Sequence, residues 1–258
     1  MSGIHPSLLP SLVLLVMAIQ QLPVARDTSK RDPQAIDIVA RALNTMGSAS
    51  TPAHDALLTG NYTSYEDEST GTITIKYRGQ TEVRQEIRTA GSNWTIAVRE
   101  GKGWAEHDGE RRDLPLWVTK YLRPMLLPTL SRIRDFAESK SNLTYIGLED
   151  LNGTSVHHIR ISSLPTDDTP AKIEDLMSEF HVFIDSQSFI VVKTLSFDFS
   201  PKIVENRVAI ETYYDDYKPV SGQLIPFHIQ RFTAATKTSE ITITSARINV
   251  GLTDSEFQ

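Results

Sequence analysis

The histidines carry the widest chemical range in this sequence: His5, His54, His107, His157, His158, His181 and His228. No HExxH occurs, so no pair is placed one helical turn apart for a zinc protease. His157 and His158 are neighbours on a strand, point to opposite faces, and do not share a metal in regular geometry. His181 and His228 lie on strands that pairing could bring together. The favoured reading is strand histidines with solvent or backbone partners. Carboxylates cluster at Glu66-Asp67-Glu68, Asp167-Asp168 and Asp215-Asp216. None follows the alternating ligand pattern of a calcium loop. Each lies in or after an expected turn, where Asp is favoured and charge faces water. A glycosidase pair would require two carboxyl groups about 5–10 Å apart, and these spacings define no such pair. GxSxG, a glycine-rich phosphate loop and SxxK are all missing. With zero cysteines, disulfides, thiolate zinc sites, iron–sulfur clusters, cysteine nucleophiles and lipidation of an N-terminal cysteine are excluded. The expectation is a protein that is not an enzyme, with no catalytic residues, no metal and no cofactor. Sequons at Asn61, Asn93, Asn142 and Asn152 matter only where a glycosylation apparatus meets the chain.

The chain that must position these residues has 258 of them, 40% hydrophobic and 22% charged, which is globular composition. Its 26 basic and 32 acidic residues give a net charge of −6, without a long Lys/Arg run, so nucleic acid is excluded as a partner. Residues 8–19, LLPSLVLLVMAI, form an apolar run of 12 residues. This is too short to span a bilayer core of about 30 Å as a helix, and suits a signal peptide. Cleavage after Ala25 leaves 258 − 25 = 233 residues. The expected organisation is a signal peptide over 1–25 and a single domain over 26–258, periplasmic or secreted. An uncleaved anchor is the alternative.

In the domain, DPQAIDIVARALNTMG (32–47) reads as a helix with Asp32 as N-cap, Pro33 at its first position and Gly47 as its stop. Ile36, Val39, Ala40, Leu43 and Met46 form the expected apolar stripe. From Ala56 the period changes to two. Strands are predicted over 56–65, 71–79, 80–89, 93–100, 142–151, 154–163, 179–185, 188–199, 206–217, 224–232 and 239–250, about eleven in all. Glycine turns at Gly79, Gly91 and Gly101 recur at hairpin spacing. Residues 166–177 form an excursion with one helical turn. Between the strands, LPLWVTKYLRPMLLPTLSRIRDFAE (114–138) is helical and very apolar, yet Pro124 and Pro128 break it into pieces, which suits a lid or plug. The fold class is mainly β (α+β): an unclosed antiparallel barrel with an N-terminal helix and a Pro-broken lid.

Three segments of the C-terminal third come in a telling order: FHVFIDSQSFIVVKTL (180–195), YYDDYKPVSGQLIPFHI (213–229) and ITITSARINVGLTDSEF (241–257). This series resembles the LolA-like superfamily of periplasmic lipoprotein carriers and related lipid-binding proteins. Asp185, Gly222, Pro226, Asn249, Gly251 and Phe257 stand at the matching positions, and the helix ending in Met46-Gly47 fits the same order, so the resemblance covers about residues 33–257. It implies a half-barrel of about eleven strands wrapped over helices, with an apolar cavity for acyl chains; for the family's gating residues no aligned position is found. The function so implied is an exported, non-enzymatic protein sheltering lipid or the acyl chains of lipoproteins. Candidate lipid-binding residues are Ile73, Ile75, Tyr77, Val83, Ile87, Trp94, Ile96 and Val98 on strands, with Trp117, Tyr121, Leu122, Met125, Leu126 and Leu130 on the lid, each of which serves equally as ordinary core. The rival is an envelope protein-interaction or stress-sensing module that uses the fold without lipid and has envelope proteins as partners. An unrecognised hydrolase comes third.

Overall fold

The computed structural model describes residues 30–47, 53–79, 81–115, 118–119, 141–164, 171–200 and 203–258. The expected signal peptide, the Asp167-Asp168 cluster and the lid candidates Trp117, Tyr121, Leu122, Met125, Leu126 and Leu130 lie outside these residues. Among the described residues no helix is long and apolar enough to cross a membrane.

The first helix, α1, runs Pro33–Thr45. Asp32 caps it, its carboxylate accepting from the Gln34 N–H at 2.8 Å, and Pro33 occupies the first turn, where its missing N–H costs nothing. The buried stripe is Ala35, Ile38, Val39, Ala42 and Met46. Ile36 and Ala40, which the expected stripe included, are exposed. Both sets have helical spacing; the observed one places Ile38 inside. Burying side chains such as Ile38, Val39 and Met46 contributes about 1.5–3 kcal/mol each. At its other end α1 meets the sheet through glycine. Gly47 has φ +83°, and the Leu224 N–H donates to the Met46 carbonyl at 3.0 Å.

Thirteen strands form one antiparallel sheet. They are β1 (Asp55–Ser64), β2 (Thr70–Arg78), β3 (Glu82–Thr89), β4 (Asn93–Arg99), β5 (Lys102–His107), β6 (Glu110–Leu114), β7 (Ser141–Leu151), β8 (Thr154–Ser163), β9 (Phe180–Asp185), β10 (Val191–Ser200), β11 (Ile203–Val220), β12 (Gln223–Thr233) and β13 (Thr236–Ile248). A second helix, α2 (Ala171–Ser178), replaces the single turn expected in 166–177. The sheet order is β6-β5-β4-β3-β2-β1-β13-β12-β11-β10-β9-β8-β7, so β6 and β7 are edges and the sheet is unclosed. The expected strand count was short by β5 and β6. KGWAEH and ERRDL lack an alternating apolar row, although Asp108-Gly109 between them, both at positive φ, forms a hairpin turn of a kind visible in sequence. Asp215 and Asp216 lie within β11, as the strand expected over 206–217 places them, and not in a turn loop.

One face of the sheet carries α1. There Leu143, Ile159, Ile161, Phe180, Val182 and Ile184 pack with the helix, while Ala56, Leu58, Ile73, Ile75, Tyr77, Val83 and Val98 form a second cluster with Ile225, Ile241 and Ile243; Ile229 packs against both. The opposite face is polar, as the alternation of β2 and β3 predicts. Across it Arg78 and Arg99 each reach Asp254 at 2.6 Å, and Lys76 reaches Glu256 at 2.5 Å. These acids belong to a closing 3-10 turn, Asp254–Phe257, whose Phe257 is buried beneath the Arg78 guanidinium. Asp55 fixes the approach to that turn. Its carboxylate accepts from the N–H groups of Val250 (2.6 Å), Gly251 (3.0 Å) and Leu252 (3.1 Å).

Candidate functional site

Residues directly opposite in an antiparallel pair share a face, so the register maps the apolar rows. Gly60, Ile73, Ile87 and Trp94 make one row across β1 to β4; Leu58, Ile75, Gln85 and Ile96 make the next; Ala56, Tyr77, Val83 and Val98 make the third. All eight strand candidates therefore lie on the α1 face. They differ in depth. Ile73, Ile75, Tyr77, Val83 and Val98 are 5% exposed or less and belong to the core, whereas Ile87 and Ile96 are half-buried and Trp94 is 39% exposed.

Those last three line a cavity of about 460 Å³, with Tyr62, Ser64 and Arg231 among its other walls. This volume falls in the range of about 300–1,000 Å³ usual for small-molecule sites. Trp94 is steadied by the His107 ring, 5.6 Å away, whose Nε2 is 2.9 Å from the Ser92 hydroxyl. The loop after β1 supplies Glu66, Asp67 and Ser69 to the rim. Hydrogen bonds from Ser64 and Ser69 hold the Asp67 carboxyl below its ordinary value. Burial raises the Tyr62 phenol, opposed by the charge of Arg231, so the hydroxyl stays protonated and able to donate. Arg231 was missing from the candidates read in sequence. The signal was present, because Ile225, Phe227 and Ile229 alternate toward it and place a cation in an inward row.

A second group of titratable side chains lies on the opposite face. There the His158 Nδ1–H donates to Glu149 at 2.5 Å, His158 Nε2 meets His181 Nδ1 at 2.6 Å, and the His181 Nε2–H donates to Glu179 at 2.8 Å. Glu179 continues to Arg207 at 2.9 Å, while Arg160 ties Asp175 of α2 at 2.6 Å. Each ring nitrogen faces a single partner in line; the groups do not converge on a point, and among the described residues no three His, Cys, Asp or Glu are placed to hold a metal. His181 and His228 do not meet. His228 instead bridges Asp215 at 2.8 Å and Glu240. His157, on the α1 face, lies 3.1 Å from the Tyr145 hydroxyl and stacks on Phe189.

These surroundings move the two histidines in opposite senses. Burial and the neighbouring His158 lower His181 below 6.5, outweighing Glu179. For His228 burial is outweighed by hydrogen bonds to Glu240 and Asp215, which raise it above 6.5. The contribution of His228 is therefore complete below about pH 6.5 and is lost as pH rises through its folded value. His181 acts oppositely: as pH falls below about 6.5 the unfolded chain takes up the proton first, and the fold loses stability. Proton NMR titration of the imidazole signals is expected to place one midpoint on each side of 6.5; two midpoints on the same side would contradict this geometry.

No family model and no curated protein matches the sequence. Solved structures do. The chain is similar to a LolA superfamily protein from Nitrosomonas europaea at 11% identity and a TM-score of 0.56, covering 85% of this chain and 97% of that one. It is similar to an outer membrane lipoprotein-sorting protein domain from Vibrio parahaemolyticus at 14% identity and 0.55, covering 87% and 97%. A DUF1329 family protein from Desulfovibrio piger matches at 11% identity and 0.57, covering 89% and 98%. At such identities the likeness speaks to architecture, and with the unclosed sheet and the α1-covered face it shows that this chain has the LolA-like fold.

Proposed function

We propose that this chain is an exported, non-enzymatic binding protein that shelters a lipid acyl chain against the α1 face of its sheet. The observation that carries the reading is the incomplete burial of one apolar surface: the rows that are sealed core at Ile73 and Ile75 continue into Ile87, Ile96 and Trp94, which open on the cavity. Each methylene moved from water into such a site contributes about 0.8 kcal/mol before ordering costs, so a bound chain needs no catalytic group to be held. The LolA superfamily and lipoprotein-sorting neighbours support the same reading, and with the apolar leader they support an envelope location.

Trp94 supplies the measurement. Adding a long-chain monoacylglycerol is expected to shift tryptophan emission to shorter wavelength, and Trp94→Phe is expected to remove that shift. Ile96→Asp is expected to weaken binding at least about tenfold while leaving the far-ultraviolet spectrum unchanged, because the carboxylate desolvates against an apolar wall. An unchanged affinity in Ile96→Asp would place the chain elsewhere. The interaction-module reading has one observation of its own. On the edge strand β7, Ile146 and Leu148 are 49% and 60% exposed, an apolar surface beyond the Arg31–Leu143 bridge against which a partner could pack. It takes the lead if wild type binds no amphiphile.

A further inference from the structure

The acyl cavity has a polar end whose composition specifies a headgroup. Arg231 projects from β12 on the α1 face, directly opposite Thr212 of β11 and Ser239 of β13; Ser239 in turn faces Ser64 of β1. The guanidinium thus stands in a row of hydroxyls with no carboxylate across from it. It is half-buried and makes no ion pair among the described residues. Arg78, Arg84, Arg99, Arg160 and Arg207, on the other face, each meet a carboxylate at 2.6 to 2.9 Å. A cation set into a cavity wall beside Tyr62 and Ser64, with Ile87, Trp94 and Ile96 beyond, matches an amphiphile with its charge at one end.

The rim limits how much charge. Glu66 and Asp67 line the same cavity. Asp67 is occupied by its own turn, accepting from the Ser69 hydroxyl at 2.9 Å and the Ser69 N–H at 3.3 Å. Both carboxylates nevertheless repel a second negative charge on a ligand held by one arginine. We propose that the cavity takes a single-chain amphiphile with a monoanionic headgroup, the chain lying along Ile87, Trp94 and Ile96 and the headgroup on Arg231 with the hydroxyl of Tyr62. This assignment rests on the acyl-binding reading above. Its volume suits one chain, and the shared chemistry of the headgroup is a single negative charge on oxygen, from a free carboxylate or a phosphodiester.

The test compares four amphiphiles of equal chain length on the full chain: a fatty acid, a lysophosphatidylglycerol, a neutral monoacylglycerol and an alkyltrimethylammonium. At least one monoanion is expected to bind about tenfold tighter than the monoacylglycerol, with the advantage shrinking at high salt. Arg231→Gln, which keeps much of the side-chain stem, is expected to abolish the advantage by weakening the monoanion far more than the monoacylglycerol, and Arg231→Lys to restore part of it. The tighter monoanion identifies the headgroup. Equal affinities for charged and neutral amphiphiles in wild type, a preference for the cation, or an equal loss for all four in Arg231→Gln would overturn the headgroup assignment while leaving the acyl site standing. Failure of every amphiphile to bind would remove both.

Discussion

Asp55→Ala is expected to lower the stability of the fold by about 3–5 kcal/mol, the largest loss from any single substitution considered. Asp55 is only 6% exposed, and its carboxylate collects three successive backbone N–H groups, those of Val250, Gly251 and Leu252. Truncation leaves all three donors without the acceptor that oriented them. The damage extends along the chain, because these amides steer the 3-10 turn that carries Asp254 to Arg78 and Arg99 and inserts Phe257 against the sheet. Urea denaturation should show the lowered midpoint, and hydrogen exchange should show residues 250–257 exchanging faster than the strands beneath them. A midpoint within about 1 kcal/mol of wild type would mean that water replaces the carboxylate and that Phe257 alone holds the turn.

Gly47→Ala is expected to cost more than about 2 kcal/mol, and its cause can be isolated. A Cβ at Gly47 would lie 1.9 Å from the Gly222 carbonyl oxygen and 3.0 Å from the Gln223 Cα, with φ already at +83°. Adopting the left-handed conformation costs a residue with a Cβ about 1–2 kcal/mol. The contact adds to this, since the obstacle is backbone and yields only if α1 separates from the β11–β12 turn, breaking the Leu224 to Met46 hydrogen bond. Gly153→Ala is the control: its φ is +86° and no atom lies within 4 Å of the added Cβ, so it incurs the conformational cost alone. Thermal unfolding should rank Gly47→Ala below Gly153→Ala by several degrees, as about 2–4 °C per kcal/mol is usual for a domain of this size. Equal melting temperatures would show that the helix end relaxes freely.

Much of this architecture is legible in the residues, though not always for the reason the sequence suggests. Asp32, Pro33 and Gly47 bound α1 because capping chemistry is local, and the alternating rows of β2 and β3 define two faces. The positions that carry the family resemblance prove architectural. Asn249, at φ +57°, accepts from the His54 N–H at 2.8 Å; Asp185 accepts from the Ser188 N–H and hydroxyl, both at 2.6 Å; Gly222 forms a turn against Gly47; Phe257 is buried. What alternation does not convey is depth. Ile73 and Ile87 have the same residue type and the same face, and only assembly of the whole sheet makes one core and the other cavity wall. Arg231 escaped notice for the converse reason, since a charge in a strand reads as solvent-facing until its parity is compared with Ile225 and Ile229. Charged β5 and β6 gave no apolar row to count.

The sheet order also bears on how the chain folds. Within β1 to β6, and within β7 to β13, each strand pairs with its sequence neighbours, so each half is a meander; its connections are short except that from β8 to β9, which passes through α2. Among the described residues the sole strand pairing that joins the halves is β1 with β13, where Ala56 faces Ile248 and His54 meets Asn249 across 195 residues. Closing a flexible loop of that length costs about 5 kcal/mol of chain entropy by the logarithmic relation, whereas each hairpin closes on a microsecond scale. This seam has the highest contact order in the sheet and is expected to form last, slowest of its pairings. The Asp55 clasp and the Phe257 turn sit at its end, where the interactions that offset loop closure have the most effect on whether two preformed meanders become one sheet.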